Sequence, residues 1–228
     1  RGNTYEAEAI FGANLNKEHK NYIGISFLSS SLFGCHNSGS THGWGSPDYG
    51  NFQVYAVRPS VDSTDVYFQL TGSSEGYFPL LTSSLFRDVY DDSKWNFAVK
   101  IKPDKYPIAD GVSGSAEDAN LDPNLLPYNV EFSGYNYVLD SLVDSFSVTT
   151  NIDSLGAQRF LTANKRFYVG AHRTNFTDGV LQYSSAKVSS LRVWMDYLSD
   201  DIIQAHAQDA ENFGSKYPYK NSYISQLS

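Results

Sequence analysis

The sequence predicts an all-β protein, a two-sheet antiparallel jelly-roll sandwich with one short helix near its C-terminus. Three observations lead there. Short runs in which apolar and polar residues alternate recur along most of the chain, separated by turn residues at roughly ten-residue spacing. Aromatic residues reach 15%, with 17 Tyr and 14 Phe, and such side chains suit a half-buried pleated surface. A helical period sets in clearly at one place, after Ser199. The 228 residues suffice for one large β domain with a substantial core. That domain is drawn at 1–212, with 213–228 as an extended tail or a linker.

The elements follow in order. Residues 1–20 are polar and mixed, with one strand at 7–11. In 22–28, Ile23, Ile25 and Phe27 alternate with Gly24, Ser26 and Leu28. Serines 29–31 then read as a turn, and Leu32 and Phe33 begin the return strand. Residues 35–51 are rich in Gly and Ser and read as a long loop. Strands at 52–58 and 66–70 flank a turn at 62–65, and Gly72 and Gly76 flank the next turn. Residues 78–93 show no clear period. The strongest strand is 95–102, where Trp95, Phe97, Val99 and Ile101 alternate with Asn96, Ala98, Lys100 and Lys102. Its first set should be buried and its second wet. After Pro103, a loop with three prolines occupies 104–127. Strands resume at 128–132, 135–139, 146–151 and 166–171, and a polar turn covers 172–179. In the closing strand, Leu191, Val193, Met195 and Tyr197 alternate with Arg192, Trp194 and Asp196. Ser199 then reads as an N-cap, with Asp200 and Asp201 in the first turn. Leu198 and Ile203 have the spacing of a hydrophobic staple, so Ile202, Ile203 and Ala207 should dock the helix on the sandwich.

A formal charge of -8, a pI near 5.0 and the lack of a basic run argue against nucleic acid and anionic membranes as main partners. One cysteine, Cys35, excludes an intrachain disulfide. No run approaches the roughly 18 apolar residues of a membrane-spanning helix. The chain starts Arg1-Gly2 without a charged-then-apolar signal segment, so it reads as a processed product or a piece of a longer polypeptide. Asn175-Phe176-Thr177 is a formal glycosylation sequon.

Three ordered pieces carry a resemblance to a known family. Trp95-Asn96-Phe97-Ala98-Val99 resembles the central strand of laminin-G-like, or concanavalin A-like, domains. Tyr168-Val169-Gly170-Ala171 resembles their strand that reads aromatic or aliphatic, then Ile or Val, then Gly. Residues 191–206 resemble their closing strand followed by a Leu-Ser-acidic helix. The resemblance covers 22–211 and implies a two-sheet jelly roll of about fourteen strands. More loosely, the chain looks like laminin-G-like modules in structural proteins of tailed, especially marine, phages. That implies a virion or extracellular location, with neighbouring subunits of a larger assembly as partners.

Some relatives in that family are glucanases that place paired carboxylates on one strand in a Glu-x-Asp-x-x-Glu pattern. Here Glu6-Ala7-Glu8 lacks the rest of the pattern, and Glu131 stands alone on its strand. Other relatives bind calcium. Asp118, Asn120 and Asp122 place oxygen ligands at alternate positions, but Pro123 and Asn129 stand where a calcium-binding hand needs Gly and Glu. A looser calcium site from these residues and Asp88, Asp91 and Asp92 stands beside the plainer reading of solvated loop acids, and the expectation is no cofactor and weak or absent calcium dependence. Cys35, His36 and His42 lack the fourth ligand of a closed zinc site. No Gly-x-Ser-x-Gly elbow, P-loop or dinucleotide fingerprint occurs.

The remaining candidates point to binding. Trp44 lies between two glycines and near Tyr49, His36, His42 and Asp48. Either Trp44 folds back over the core, or its face stacks on a sugar ring or anchors a protein contact. His172 and Arg173 head the polar turn and suit an anionic sugar, a partner protein or local carbonyls. The expectation is a non-enzymatic binding or adhesion module for a glycan or a protein surface. The alternative is a purely structural assembly domain, with a glycoside hydrolase third.

Overall fold

The computed structural model describes residues 2–12, 28–39, 43–44, 51–72, 78–104, 127–173, 179–209 and 215–217. The fold is the all-β antiparallel sandwich that the alternation predicts. One sheet has the order β11-β1-β7-β8-β9, from β11 (Lys187–Trp194), β1 (Asn3–Phe11), β7 (Ser93–Pro103), β8 (Tyr128–Val138) and β9 (Ser141–Ile152). The other has the order β10-β2-β4-β5-β6, from β10 (Asn164–Val169), β2 (Ser29–Gly39), β4 (Phe52–Val57), β5 (Tyr67–Thr71) and β6 (Leu81–Thr82). A two-residue β3 (Gly43–Trp44) pairs with β2. The first strand thus sits beside the last.

The inner faces meet in an aromatic core. Phe68 on β5 lies 4.7–4.8 Å, centroid to centroid, from Phe97 and Trp95 on β7, and 5.7 Å from Phe146 on β9. Phe146 in turn needs Gly134 opposite it on β8, because a Cβ there would stand 2.4 Å from the ring. One end of the core is closed by a helix that the alternation does not reveal, α1 (Ser154–Thr162). Asp153 caps it by accepting from Gly156 N at 2.8 Å, and Phe160 packs edge-on against Tyr5 and Phe78. The Lys165 ammonium covers the other end, donating to the Leu161 and Ala163 carbonyls at 3.3 and 2.9 Å, where the helix dipole favours a cation.

Several local expectations need correction. Ser29–Gly39 is one strand, so serines 29–31 are not a turn and Cys35 to Gly39 are not loop. Ser30 is buried with partners: its Oγ lies 2.9 Å from Tyr90 Oη and 2.5 Å from Ser185 Oγ. In the closing strand the two alternating sets lie on opposite faces, and Leu191 packs against the core. Arg192 is buried and Trp194 half-buried, while Met195 is 71% exposed. A bulge places two β11 residues opposite Ala7, and Ser190 takes a left-handed φ of 54° there. The second face of β7 is not wet either: Asn96, Ala98 and Lys100 are buried.

What covers that face is the C-terminal helix, α2 (Asp200–Gln208). Leu198, Ile203 and Ala207 form a small cluster with Ala98 and Tyr135, and Ile202 and Trp194 pack on its margin. The docking residues are those the staple predicts. The cap is different. Ser199 accepts from Ile202 N and Ile203 N through its carbonyl, both at 3.1 Å, while its side chain makes no capping bond. Ser199→Ala is therefore expected to cost well under the roughly 1 kcal/mol of a lost cap, and Ile203→Ala about 2–5 kcal/mol. Urea unfolding of the two variants measures the difference.

Candidate functional site

The outer face of sheet one is a sealed polar layer. Glu6 accepts from His206 Nδ1 at 2.9–3.0 Å and from the Trp194 indole. His206 Nε2 faces the Lys216 carbonyl at 3.2 Å. Arg192 Nη2 lies 3.3 Å from Glu8, and Lys94 lies 3.3 Å from the same carboxylate. Lys100 bonds Glu131 at 2.7 Å and also Asp200. Every one of these carboxylates is held by a cation or a ring N–H, and α2 lies over the layer.

The outer face of sheet two is different in kind. Cross-strand register aligns Arg166 and Tyr168 on β10, Gly34 and His36 on β2, Gln53 and Tyr55 on β4, Gln69 and Thr71 on β5, and Thr82 on β6. These are aromatic, amide, imidazole, guanidinium and hydroxyl groups, without a carboxylate among the described residues of the array. The pleat that sends Phe33, Cys35, Val54 and Ala56 inward sends these side chains outward. At the centre two candidates 136 residues apart in sequence meet: His36 Nε2 lies 2.8 Å from His172 Nε2. The rings are stacked at 5.0 Å and 18°, and Tyr168 stacks on His172 at 4.7 Å. Tyr55 Oη lies 3.1 Å from His172 Nδ1. Gly34 makes room for Tyr168, since a Cβ there would come 2.1 Å from the hydroxyl. His36 Nδ1, Gln53 Nε2 and Tyr168 Oη are buried without a hydrogen-bond partner among the described residues.

His172 is fixed from behind, because its N–H donates to the Gln182 carbonyl at 2.7 Å and its carbonyl accepts from Leu181 N at 2.8 Å. Arg173 beside it is exposed. Only one of the two facing Nε2 atoms can carry the hydrogen between them, so the pair holds at most one charge there without repulsion. Burial, then the neighbouring His36, pushes the His172 pKa down to about 4, and burial lowers that of His36. Burial pushes the Tyr55 hydroxyl up to about 12. The array is thus neutral at its centre near pH 7, and that centre is buried, with His36, Gln53 and His172 each less than a tenth exposed while Tyr55, Gln69 and Arg166 around it are half-buried.

The sign of the pH effect follows. Above the ordinary histidine value of 6.5 both folded and unfolded chains carry a neutral His172. Between pH 6.5 and about 4 the unfolded chain takes up a proton that the folded one refuses, so stability falls, and below about 4 the deficit is constant. With solvent screening allowed for, the loss is about 1–2 kcal/mol. His172→Gln is expected to flatten that segment of the stability-versus-pH curve, as measured by urea unfolding at successive pH values.

The other candidates are scattered. Trp44 is placed on β3, opposite Ser38. Tyr49, His42, Asp48, Asp118, Asn120 and Asp122 lie outside the described residues. Cys35 and His36 cannot join in one metal site, because the pleat sends the thiol into the core and the imidazole outward. Asp88 serves its turn, at a left-handed φ of 52°, accepting from Thr64 Oγ1 at 3.0 Å. Tyr55, Gln53 and Tyr168 escaped the sequence reading. Their signal was the alternation Gln53, Tyr55 against Val54, Ala56, whose polar side points outward.

No family model, no curated protein and no solved structure matches the chain.

Proposed function

We propose that this protein is a non-enzymatic binding module whose outer face on sheet two recognises a glycan or the hydroxyl- and amide-rich surface of a protein. The observation that carries the reading is the aromatic and polar array centred on His36, His172, Tyr55 and Tyr168. The half-buried Tyr55 ring offers an apolar face to a sugar ring or side chain, and its hydroxyl, with the half-buried Gln69 and Arg166, supplies polar contacts. Arg173 at the margin suits a carboxylate or sulfate on such a ligand. Hydrolysis by a carboxylate pair draws no support from this array, and on the opposite sheet Glu6, Glu8 and Glu131 are each bonded to a side chain, to His206, Arg192 and Lys100 respectively. The sandwich and its resemblance to laminin-G-like domains fit a module of a virion or extracellular structural protein, an analogy of fold.

A glycan array read beside reducing-sugar release tests the reading. Binding without release is expected, and Tyr55→Ala should lose at least about ten-fold in affinity, the scale of one contact residue, while His206→Gln on the other sheet leaves binding unchanged. Sustained sugar release by pure protein, or binding indifferent to Tyr55 and Arg173, would contradict it.

A further inference from the structure

An unpaired sheet edge is a template for another strand, and proteins ordinarily blunt their edges with brevity, positive charge, proline or bulges. Among the described residues, three of the four sheet edges are blunted. β6 has two residues, β10 has six and carries Lys165 and Arg166, and β11 is bulged at Ser190 and carries Lys187 and Arg192. The fourth, β9, is bulged near its start, at Val143, and beyond that bulge has none of these defences. Its twelve residues contain no lysine, arginine, proline or glycine, and Asp144 is its one charge. Its register with β8 is unbroken from Asp144 to Ile152. Ser145, Ser147, Thr149 and Asn151 are exposed along its outer face, and inward-pointing Phe146, Val148 and Thr150 are only half-buried. At its start an apolar group is exposed: Val138 (56%), Leu139 (91%), Leu142 (44%) and Val143 (55%).

We infer that the protein forms a two-fold dimer by antiparallel pairing of β9 with β9 of a second copy, joining two five-stranded sheets into one of ten strands. The strand is complementary to itself in one register, with Ser147 opposite Ser147. Phe146 then faces Val148, an aromatic–β-branched pair of the kind that stabilises sheets. Asp144 faces the Thr150 hydroxyl, and Ser145 faces Thr149. Shifting the centre to Phe146 sets Asp144 against Val148, and shifting it to Val148 sets Asp144 against Ile152, which buries the carboxylate beside an apolar side chain either way. A chain of net charge -8 repels its copies over most of its surface, and this strand is a nearly uncharged line through it. The two-fold axis runs perpendicular to the joined sheet, so both copies present their second sheets on the same side. A repeated ligand would then meet two sites at once. The inference does not rest on the ligand reading.

Sedimentation equilibrium of the full chain from about 1 to 200 µM brackets a micromolar dissociation constant. The expected mass at the upper end is twice 25.4 kDa. Ser147→Lys sets like charges opposite each other across the axis and should weaken the dimer by at least about ten-fold; because it also removes the hydroxyl's bond to Glu131 at 3.0 Å, a urea curve checks that the variant is folded. As a second probe, Ser147→Cys should form an intermolecular disulfide on mild oxidation, since directly opposed residues lie within its reach. Thr149→Cys should not, because its two copies would stand roughly 13 Å apart along the strands. A mass of 25.4 kDa at every concentration would overturn the inference, as would a dimer that survives Ser147→Lys while Ser147→Cys fails to cross-link.

Discussion

Lys100→Ala is expected to destabilise the fold by about 3–5 kcal/mol, the cost of breaking a buried ion pair and leaving its partner uncompensated. The Lys100 side chain is fully buried on the outer face of β7, under α2, with Glu131 at 2.7 Å. Asp200 is half-exposed and contributes less. Burial by itself lowers the Lys100 pKa, but Glu131 and Asp200 together outweigh it and hold the ammonium above its usual 10.5. Burial raises Asp200, and the bond and charge of Lys100 more than reverse that, leaving it below 3.8. The lysine's share of stability is therefore complete below pH 10.5 and is lost only as pH rises through its raised folded value. The Asp200 share is lost as pH falls through its lowered one. Replacing both partners, Lys100→Met with Glu131→Gln, is expected to recover most of the loss, because two apolar or neutral groups avoid the stranded charge. A double-mutant cycle in urea separates the pair from its surroundings. A loss under about 1 kcal/mol for the single variant would mean that water reaches Glu131.

Phe68→Ala is expected to cost about 3–5 kcal/mol as well, by a different route. Its ring lies within about 6 Å of Phe11, Phe86, Trp95, Phe97 and Phe146, centroid to centroid, and so joins β1, β7 and β9 of one sheet to β5 of the other. Nothing adjacent can collapse into the space, because Trp95 and Phe97 are held on a central strand and Phe146 is wedged against Gly134. Phe68→Leu retains part of the volume and should lose distinctly less. Chemical denaturation of the two variants, with an unchanged slope against denaturant, checks that the loss is a cavity effect rather than a change in the unfolded state.

Alternation made the core faces legible. Trp95, Phe97, Val99 and Ile101 are buried where period two puts them, and Ile203 and Ala207 dock where the staple puts them. Alternation could not show what lies over the other face. The sequence Asn96, Ala98, Lys100 is what a solvated face looks like, and only the return of α2 turns it into a buried layer. Ser29–Gly39 was misread because serine and glycine signal turns, yet Ser30 is satisfied by Tyr90 and Ser185, which are 60 and 155 residues away. α1 was missed because it is short and carries Gly156 in its first turns, so its only firm signals are the Asp153 cap and Phe160. His36 and His172 were both visible as candidates, but their pairing depends on how β10 aligns with β2, which no local pattern encodes.

The central claim is that the outer face of sheet two is the working face of this module. Amide hydrogen exchange of the protein with and without a ligand found on the array tests it most directly. Added protection is expected on Gly34 to His36, Gln53 to Tyr55 and Arg166 to Arg173, with the strands under α2 unchanged. Protection confined to β1, β7 and α2, with none at His172, would contradict the claim.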